Sequence, residues 1–584
     1  MTPKKRPYLN LFKIIWQFSA GKHWQICGIY LLFILANLIR MAEPYFLGRF
    51  INAIQTGGPQ MFHESIKFMA IYASISFFFW ALHGPARCLE RKMSFSIYQK
   101  FSQHCFRIIS ELPLAWHKDH HSGESIDKIN KASLALRNFT DSAYVYIESI
   151  IPFFVSLIAI VAIIKWYGLL LFVFTSLVVL VIFLFDDVLI KTIRERNRRE
   201  HRVSSVLYDY VSNMISIITL RLQERAQKDF SQKISHVFPV HKKNIILNEW
   251  KWFSVSMAVN IAQFLVIVFY IYQQSLVQET ILIGNLMMLY RYLDKFIQVF
   301  FHIAWKYENL VMTGANLMAA DSILRAGKAS KKKSDLALKK WKKIEIKNLS
   351  FQYQDESTSS LQNINITLEK NSKIALLGES GSGKSTLLNV LRGLYESQDL
   401  KIEIDGKNNY DIDTVANLTT LIPQDPEIFE NTIEYNVTMG MKYRQKDILN
   451  SLRMARFDRV LERLPSGIKT NIKEKGVNLS GGEKQRLALA RGILASQKSS
   501  IVLLDEPTSS VDQENEREIY RALWLSYQEK CIISTLHKLN LLSFFDFAYV
   551  LNRGRIIEQG PVPELLQKKS GYLRGLWEKF KTNR

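Results

Sequence analysis

Residues Gly378-Glu379-Ser380-Gly381-Ser382-Gly383-Lys384-Ser385-Thr386 fit the pattern G-x-x-x-x-G-K-[ST]. Glycines carry no side chain, so the backbone of this loop can curl its N–H groups around the phosphates of a nucleotide. The apolar run 373–378 before the loop predicts a strand, and 385–394 after it predicts a helix. Strand, loop and helix together predict a phosphate cradle, because the helix N-terminus adds a partial positive charge aimed at the phosphates.

Two further stretches extend this pattern. Leu479-Ser480-Gly481-Gly482-Glu483 is glycine-rich and opens a predicted helix, and Ile501-Val502-Leu503-Leu504-Asp505-Glu506 is an apolar strand that ends in two carboxylates. A buried strand has little use for paired acids at its end unless a cation or a water needs them. In this combination the motifs resemble the nucleotide-binding domain of an ATP-binding cassette (ABC) protein, from about Ile344 to the C-terminus.

The resemblance implies a role for each polar side chain around the phosphates. Lys384 neutralises the β- and γ-phosphates of ATP, the Ser385 hydroxyl ligates Mg²⁺, and Asp505 holds that ion directly or through water. Glu506 polarises the attacking water, which is typically worth about 10²–10⁴ in rate. Because both acids are present, the resemblance favours an ATP hydrolase over a protein that only binds nucleotide.

Other positions match the family's motifs in order. Tyr353 matches the aromatic residue that stacks on adenine, and a strand aromatic without that role is the alternative. Gln424 matches the glutamine that contacts Mg²⁺ or water and senses the membrane domain. His537 matches the histidine that contacts the γ-phosphate, and Ser509-Ser510-Val511-Asp512 matches the loop after the paired acids, called the D-loop.

The stretch 479–483, called the signature, implies a dimer. In the family it binds the γ-phosphate of ATP held by the opposite domain, and Glu483 stands where glutamine is usual. The chain carries one such domain and a nucleotide sandwich needs two. A second copy of the chain is therefore the simplest partner, and a heterodimer is the alternative.

Composition divides the chain of 584 residues into two parts. Long apolar runs fill the part up to about residue 310, whereas the part after about residue 326 is typical of a soluble domain. The net charge of +23 would suit a nucleic-acid partner. The basic residues instead lie at the N-terminus, beside apolar runs and in the linker, as the positive-inside rule predicts for cytoplasmic segments. This distribution argues against nucleic-acid binding.

Six apolar stretches are long enough to cross a bilayer, which needs roughly twenty residues per helix. They are 24–47, 66–86, 142–165, 168–189, 252–274 and 281–304. The loops 52–64 and 275–280 contain no Lys or Arg, while 88–140 and 190–250 are rich in both. This asymmetry predicts an integral membrane protein whose N-terminus and ATPase domain are cytoplasmic. The lack of a long basic, serine-rich leader favours a bacterial inner membrane, with its lipids as partners.

The fold class predicted is therefore an all-α polytopic membrane domain followed by an α/β P-loop ATPase domain of ABC type. The predicted limits are 1–325 for the membrane domain, 326–343 for a linker and 344–584 for the nucleotide-binding domain. Long helical intracellular loops make the first part similar to the ABC exporter type IV fold of half-transporters. The resemblance implies short coupling helices near Trp116–Glu124 and Ile215–Leu222.

Charged residues inside membrane spans are costly and usually face a cavity or a partner. Arg40 and Glu43 lie one turn apart and are expected to pair. In the sixth span, an i,i+3 pair of Arg291 and Asp294 leaves Lys295 over. These three residues are the candidate lining of a positively charged cavity that suits an anionic or amphipathic substrate.

The function predicted is ATP-driven export or flipping of an amphipathic or hydrophobic substrate by alternating access, coupled to ATP-dependent dimerisation of the nucleotide-binding domains. Two alternatives remain open. An exporter-shaped fold can also work in uptake, and the same body can act as an ATP-gated channel or as a regulator of another membrane protein. The intact acids Asp505 and Glu506 favour a pump.

Overall fold

The structure is a computed structural model, and it divides into two compact units. One unit comprises Met1–Glu111 and His121–Ala329, and the other comprises Leu112–His120 and Ser330–Arg584. The division at 329/330 falls inside the predicted linker 326–343. The residues that the structure describes are 7–120, 122–164, 168–276, 281–329, 338, 340–353, 360–395, 397, 400–425, 427–472, 479–536, 538–568 and 570–582.

In its described residues, the first part of the chain is built of α-helices. They are α1 (Pro7–Phe18), α2 (His23–Arg40), α3 (Glu43–Thr56), α4 (Met61–Glu111), α5 (Leu114–Asp119), α6 (Ser122–Asp141), α7 (Tyr144–Ile164), α8 (Gly168–Ser212), α9 (Met214–Thr219), α10 (Gln223–Ser235), α11 (Phe238–Leu276), α12 (Ile283–Ala319) and α13 (Asp321–Ala329). Of these helices, α5 belongs to the second unit.

Four helical stretches in the described residues are long and apolar enough to cross a membrane. They are His23–Thr56, Met61–Glu111, Gly123–Ile164 and Gln223–Leu276. The fourth predicted span lies within α8, and the sixth overlaps α12 from residue 283 onwards. The count of six spans stays a prediction, and residues 165–167 and 277–280 of the predicted outer loops lie outside the described residues.

Helices α3 and α12 approach each other closely at two glycines. A Cβ atom on Gly284 would lie 2.0 Å from the carbonyl oxygen of Gly48, so a side chain there would collide with the facing backbone. Next to this contact, Asn52 Nδ2 donates to Asn285 Oδ1 at 2.8 Å. Gln55 hydrogen bonds to backbone groups near the start of α12. Small residues that let helix backbones meet are typical of contacts between membrane helices.

The structure places a short helix close to each predicted coupling segment. Residues 116–119 of the first segment belong to α5, which begins two residues earlier, and residues 215–219 of the second belong to α9. The C-terminal limit predicted for the first segment is wrong, because Ser122 and Gly123 already open α6. Pro113 precedes α5 in an extended conformation, which separates this short helix from the end of α4.

The second unit alternates strands and helices. Its elements after α5 are β1 (Lys343–Phe351), β2 (Leu361–Glu369), β3 (Lys373–Leu377), α14 (Lys384–Leu391), β4 (Lys401–Ile404), β5 (Lys407–Tyr410), α15 (Ile412–Leu418), β6 (Thr419–Ile422), α16 (Ile433–Thr438), α17 (Gln445–Met454), α18 (Asp458–Glu462), α19 (Gly481–Ala495), β7 (Ile501–Leu504), α20 (Gln513–Ser526), β8 (Cys531–Thr535), β9 (Phe547–Asn552), β10 (Arg555–Pro561), α21 (Val562–Gln567) and α22 (Tyr572–Thr582).

Two sheets organise these elements. An antiparallel sheet has the order β2-β1-β4-β5, and a larger sheet has the order β10-β9-β3-β8-β7-β6. In the larger sheet β6, β7, β8, β3 and β9 run parallel, and β10 pairs antiparallel to β9. The strands β3, β7 and β8 are buried along their whole length, which explains why their sequences are continuous apolar runs.

The order of the parallel strands decides where the motifs meet. The glycine-rich loop 378–386 follows β3, the paired acids follow β7, and Gln424 follows β6. Because the carboxyl ends of parallel neighbours lie at one edge of a sheet, these segments converge there. The candidate site is therefore at the carboxyl edge of the larger sheet.

Candidate functional site

The glycine-rich loop needs glycine at two of its bends. Gly378 and Gly383 have φ angles of +145° and +101°, a region that side-chain-bearing residues rarely adopt. A Cβ atom on Gly378 would lie 2.2 Å from the carbonyl oxygen of Leu551, and one on Gly383 would lie 2.8 Å from that of Ser360. The loop is thus packed between neighbouring backbone segments, which fixes the direction of its N–H groups.

Lys384 opens α14 directly after the loop. Its ammonium donates to the carbonyl oxygens of Gly378 and Glu379, both at 2.9 Å. Burial lowers the pKa of Lys384, and the nearby carboxylates of Glu506 and Asp505 oppose that shift. The loop therefore holds a largely buried cation beside the positive end of a helix, which is an arrangement suited to anionic oxygens.

The two acids after β7 are held by neighbouring hydroxyl groups. Asp505 Oδ1 accepts hydrogen bonds from Ser385 Oγ and Thr535 Oγ1, each at 3.0 Å. The N–H of Glu506 donates to the same Thr535 hydroxyl at 2.9 Å, and Glu506 has a strained φ of +45°. Ser385 and Asp505 bring two oxygen atoms together, which fits the preference of Mg²⁺ for oxygen ligands.

Gln424 lies against the second acid. Its Nε2 atom donates to Glu506 Oε2 at 3.1 Å. The carboxamide thus orients the carboxylate that the sequence assigns to water activation. His537, expected to contact the γ-phosphate, lies outside the described residues.

Tyr353 lies in an aromatic group at the other end of the site. Its ring meets those of Phe351 and Tyr395 nearly at right angles, with centroids 4.8 Å and 5.3 Å apart. Its hydroxyl is 3.2 Å from Thr386 Oγ1. The ammonium of Lys118, on α5, is 5.5 Å from the ring centroids of Tyr353 and Tyr395, within the range of a cation–π contact.

A cavity of about 660 Å³ connects these groups, within the range typical of ligand sites. It is lined by Tyr353, Ser360, Gln362, Ser380, Gly381, Gly383, Lys384, Ser385, Thr386, Gln424, Glu506, Arg553 and Gly554. The structure thus brings the predicted aromatic residue, the glycine-rich loop, Gln424 and Glu506 together around one space.

Sequence reasoning missed the contribution of the turn between β9 and β10. Arg553 and Gly554 lie in this turn and line the cavity, as do Ser360 and Gln362 at the start of β2. The N–H of Gly554 donates to the carbonyl of Ser382 at 3.1 Å, and its carbonyl accepts from Gln362 N–H at 2.8 Å. The only signal in the sequence is an Arg-Gly pair between two strand patterns, which does not indicate what the turn touches.

The signature stretch forms the N-terminus of α19. Ser480 is the N-cap residue, and it forms a capping box with Glu483: Ser480 N–H donates to Glu483 Oε2 at 2.8 Å. The other carboxylate oxygen of Glu483 pairs with Arg463. Residues 479–483 are all described, and they are not among the residues that line the cavity.

The D-loop residues lie between the acids and α20. Ser510 N–H donates to Gln485 Oε1 at 2.7 Å, and Val511 is buried in the core. Asp512 caps α20 by accepting from the N–H of Asn515 at 3.0 Å, and this bond lowers the pKa of Asp512.

The charges predicted for a substrate cavity have different partners from those expected. Lys295 pairs with Glu43 at 3.2 Å, so the predicted unpaired state of Lys295 is wrong. The predicted pair of Arg40 and Glu43 gives way to this contact, and the guanidinium of Arg40 lies over the ring of Phe79 instead. The pairing was missed because Glu43 and Lys295 are 252 residues apart in the chain.

Asp294 accepts a hydrogen bond from Gln298 at 3.0 Å. The side chain of Arg291, on α12, is exposed. Lys295, the residue expected to give a cavity its positive charge, is instead neutralised by Glu43.

Two family profiles match the chain in separate segments. The profile described as ABC transporter transmembrane region matches residues 26–298, and the profile described as ABC transporter matches residues 361–509. The second match includes the glycine-rich loop, the signature and the paired acids.

Two curated relatives match about two fifths of the chain. The "Multidrug resistance-like ATP-binding protein MdlB" of Buchnera aphidicola is 36% identical over 232 residues, and the "ATP-dependent lipid A-core flippase" of Pasteurella multocida is 35% identical over 233 residues. Each alignment covers 39% of this chain and 40% of the relative.

A solved structure resembles nearly the whole chain. It is described as a bacterial Atm1-family ABC exporter with ATP bound, and it matches with a TM-score of 0.82 at 21% identity. The match covers 96% of this chain and 99% of that one. At this identity the similarity concerns the fold.

Proposed function

The chain belongs to the ABC transporter family, and from this premise we propose that it uses ATP to export or flip an amphipathic or hydrophobic substrate across a bilayer. Both profiles confirm the family predicted from the motifs. The profiles and the solved exporter also confirm the fold class, a helical membrane domain followed by an α/β ATP-binding domain. The observation that carries the proposal is the cavity that joins Lys384, Gln424 and Glu506.

Different residues around the cavity would bind different parts of the nucleotide. Tyr353 stacks on the base, the loop 378–386 surrounds the phosphates with its N–H groups, and Lys384 neutralises the β- and γ-phosphates. Ser385, Asp505 and Gln424 would hold Mg²⁺, which when bound offsets the negative charge that develops on the phosphates. Arg553 adds a cation at the rim of the same cavity.

Hydrolysis would start at the pair of Gln424 and Glu506. A carboxylate at the end of β7 can accept a proton from a water that attacks the γ-phosphate, and the contact of 3.1 Å from Gln424 orients that carboxylate. Besides Gln424 and Glu506, we propose that His537 contacts the γ-phosphate. The hydroxyl of Thr535 accepts a hydrogen bond from the backbone N–H of Glu506, which helps to hold the Glu506 carboxylate in one direction.

The proposed working unit is a dimer, most simply of two identical chains. The signature residues do not line the cavity of their own domain, which is consistent with a role towards the nucleotide of a second copy. Two ATP molecules would then join two domains, each bound by Lys384 of one chain and Ser480 of the other. Closing and opening of this pair would switch the membrane helices between inward and outward openings.

The names of two relatives bear on the substrate class. The names of the two relatives, a multidrug resistance-like protein and a lipid A-core flippase, both suit an amphipathic or hydrophobic substrate. A preference for anionic compounds would rest mainly on Arg291, since Lys295 is paired. A screen of lipids, peptides and drugs for stimulation of ATPase activity in nanodiscs tests the class. We place the protein in a bacterial inner membrane, with the ATPase domain in the cytoplasm.

Glu506→Gln tests the assignment directly. The variant keeps the shape of the side chain but cannot accept the proton, so we expect ATP binding to persist while kcat falls by about 10²–10⁴. Phosphate release and binding of a fluorescent ATP analogue are measured in nanodiscs with Mg²⁺. Glu514→Gln, on the exposed side of α20, is the matched control and should hydrolyse ATP like the wild type. A Glu506→Gln variant with normal turnover would remove the assignment.

Transport in sealed vesicles separates the proposal from its alternatives. A pump accumulates substrate against a gradient when ATP is present on the side of the ATPase domain, and a channel cannot. An exporter moves substrate away from that side, whereas an importer of the same shape moves it towards that side. A regulator of another membrane protein would hydrolyse ATP without moving any solute in the purified system.

A further inference from the structure

Gln485 is a buried polar residue on α19 that no motif assigns. Its side chain is 3% exposed, although it lies among apolar positions such as Leu487 and Leu489. Burying a carboxamide is costly unless its donors and acceptor are satisfied. What Gln485 contacts is therefore informative.

The carboxamide of Gln485 contacts three of the functional segments described above. Its Nε2 atom donates to Ser509 Oγ at 2.9 Å, to the carbonyl of Glu506 at 3.2 Å and to the carbonyl of Gln424 at 3.4 Å. Its Oε1 atom accepts from the N–H of Ser510 at 2.7 Å. One side chain thus joins the signature helix to the segments of Gln424, of Glu506 and of the D-loop.

The backbone on both sides of Glu506 is consequently held by side chains. Gln485 contacts the carbonyl of Glu506, while Thr535 accepts from its N–H at 2.9 Å. Glu506 is strained at φ +45°, a conformation that persists only when its surroundings enforce it. Loss of the contact from Gln485 would let this peptide relax and turn the carboxylate away from its present direction.

The helix that carries Gln485 also touches the D-loop directly. A Cβ atom on Gly482 would lie 2.7 Å from the carbonyl oxygen of Ser510, so only glycine allows this close approach. Gly482 and Gln485 are one helical turn apart on α19. The N-terminal turn of α19, the D-loop and the Glu506 peptide are therefore packed as one body.

We propose that Gln485 is a positioning residue for ATP hydrolysis. Its hydrogen bonds make the positions of Glu506 and Gln424 depend on the position of the signature helix α19. The inference rests on the proposed function, because it assumes that Glu506 activates water. A ligand bound at residues 479–483 would shift α19, and Gln485 transmits that shift to the Glu506 and Gln424 backbones. Hydrolysis is thereby tied to occupation of the signature.

Gln485→Leu is the first test. Leucine fills a similar volume but neither donates nor accepts, so we expect the Kd of a fluorescent ATP analogue to change by less than about twofold while kcat falls roughly 10²-fold. The matched control is Gln528→Leu, at an exposed glutamine outside α19, which should keep both values. A loss of ATP binding in proportion to the loss of kcat would indicate a purely structural residue and overturn the proposal.

Gln485→Glu gives a readout that a structural role would not move. The introduced carboxylate can accept from Ser510 N–H but cannot donate, and it lies near the Glu506 backbone. When protonated, the introduced carboxyl regains a donor. The ratio of variant to wild-type kcat should therefore rise as the pH falls from alkaline to mildly acidic, while the ratio for Gln485→Leu stays flat. A flat ratio for both variants counts against the proposal.

Amide hydrogen exchange makes the inference testable apart from turnover. Ser510 N–H loses its acceptor in Gln485→Leu, so exchange in the segment 506–512 should be faster than in the wild type and in Gln528→Leu. Unchanged exchange together with unchanged kcat would overturn the positioning role. If the wild-type chain hydrolyses no ATP in nanodiscs, the proposed function fails, whereas normal wild-type turnover with an unaffected Gln485→Leu variant rejects this inference alone.

Discussion

Lys384 combines burial with a positive charge, and this combination affects how the chain should bind ATP at different pH. Burial lowers the pKa of Lys384 below the ordinary lysine value of 10.5. The ammonium therefore loses its proton earlier than an exposed lysine as the pH rises. The protonated form is the one that attracts phosphate oxygens, so the lowered pKa reduces binding on the alkaline side.

We predict that the ATP affinity of the wild type declines as the pH rises, and that the decline begins at a lower pH than the ordinary lysine pKa of 10.5 would give. In Lys384→Arg the decline should disappear, because a guanidinium stays protonated throughout. Titration of a fluorescent ATP analogue at several pH values checks this, with the ratio of affinities at two pH values compared between the variants. An equal decline in both would show that another group titrates.

Glu483 places a negative charge in the signature, where a phosphate is proposed to bind. Arg463 pairs with one carboxylate oxygen and the capping box occupies the other, so the charge is compensated within the domain. Glutamine, which is usual at this position, would need no such partner. Arg463 thus balances the negative charge that Glu483 introduces at a position where glutamine is usual.

We predict that Arg463→Ala lowers ATPase activity in the wild type but has little effect in a Glu483→Gln background. Because the Arg463 side chain is 59% exposed, solvent screening limits the coupling to about 1 kcal/mol or less. A double-mutant cycle on kcat/KM measures the coupling. Equal effects of Arg463→Ala in both backgrounds would mean that the ion pair is unimportant.

The sequence was a better guide to residues in local motifs than to their distant partners. The glycine-rich loop and the paired acids depend on short stretches of backbone, and the structure brings the loop and Glu506 to one cavity. Arg553 and Gln485 belong to a turn and a helix face whose contacts exist only once the chain is folded. The contact of Lys295 with Glu43 joins two helices far apart in sequence, so no local pattern could predict it.

At the scale of elements, the contact between α3 and α12 leaves no space for a side chain. A methyl group on Gly284 would overlap the backbone of Gly48 and the side chain of Asn52. The helices would have to separate, which would also weaken the hydrogen bond between Asn52 and Asn285.

We predict that Gly284→Ala destabilises the protein by about 1–3 kcal/mol, the usual cost of overpacking. A lower apparent melting temperature of the purified protein in detergent is the measurement. Gly84→Ala is the matched control, because a Cβ atom at this helical glycine meets nothing within 4 Å. A drop of equal size in the control would assign the effect to glycine in a helix and not to the contact.

Helix and strand types were largely predictable, but limits at short connections were not. Continuous apolar runs indicate β3 and β7 because buried parallel strands need no polar face. The start of α6 at Ser122 was missed, since a resemblance to a coupling segment outweighed the helix-starting serine. Membership of α5 in the second unit depends on Leu114 and Ala115 packing against its core, which composition does not indicate.

At the scale of the whole molecule, the proposed dimer makes a prediction about mixed chains. A Lys384→Ala chain lacks a working phosphate cradle, and a Ser480→Arg chain lacks a working signature. Each alone should be inactive as a homodimer. A dimer of one chain of each kind has one site with an intact Lys384 and an intact Ser480, because each site takes these residues from different chains.

We predict that coexpression of the two variants restores up to about a quarter of wild-type ATPase activity, since random pairing makes half of the dimers mixed and each has one of two sites. This activity is measured on the whole coexpressed population; tandem purification through two different tags then isolates the mixed dimers, which should show up to about half of wild-type activity. If the signature served the nucleotide of its own chain, mixing would restore nothing, and the dimer mechanism would be rejected.

The length of α4 has a mechanical consequence. Its 51 residues make a rod of about 77 Å, more than twice the ~30 Å thickness of a bilayer's hydrocarbon interior. Pro85 lies within it, at a place where helices bend most readily. From Pro85 to Glu111 the helix is about 39 Å long, so a bend of about 10° at Pro85 would displace its end by about 7 Å. A small change of angle near Pro85 therefore gives a large displacement at the end of the helix. Conversely, a displacement of several ångströms at that end changes the angle at Pro85 only slightly.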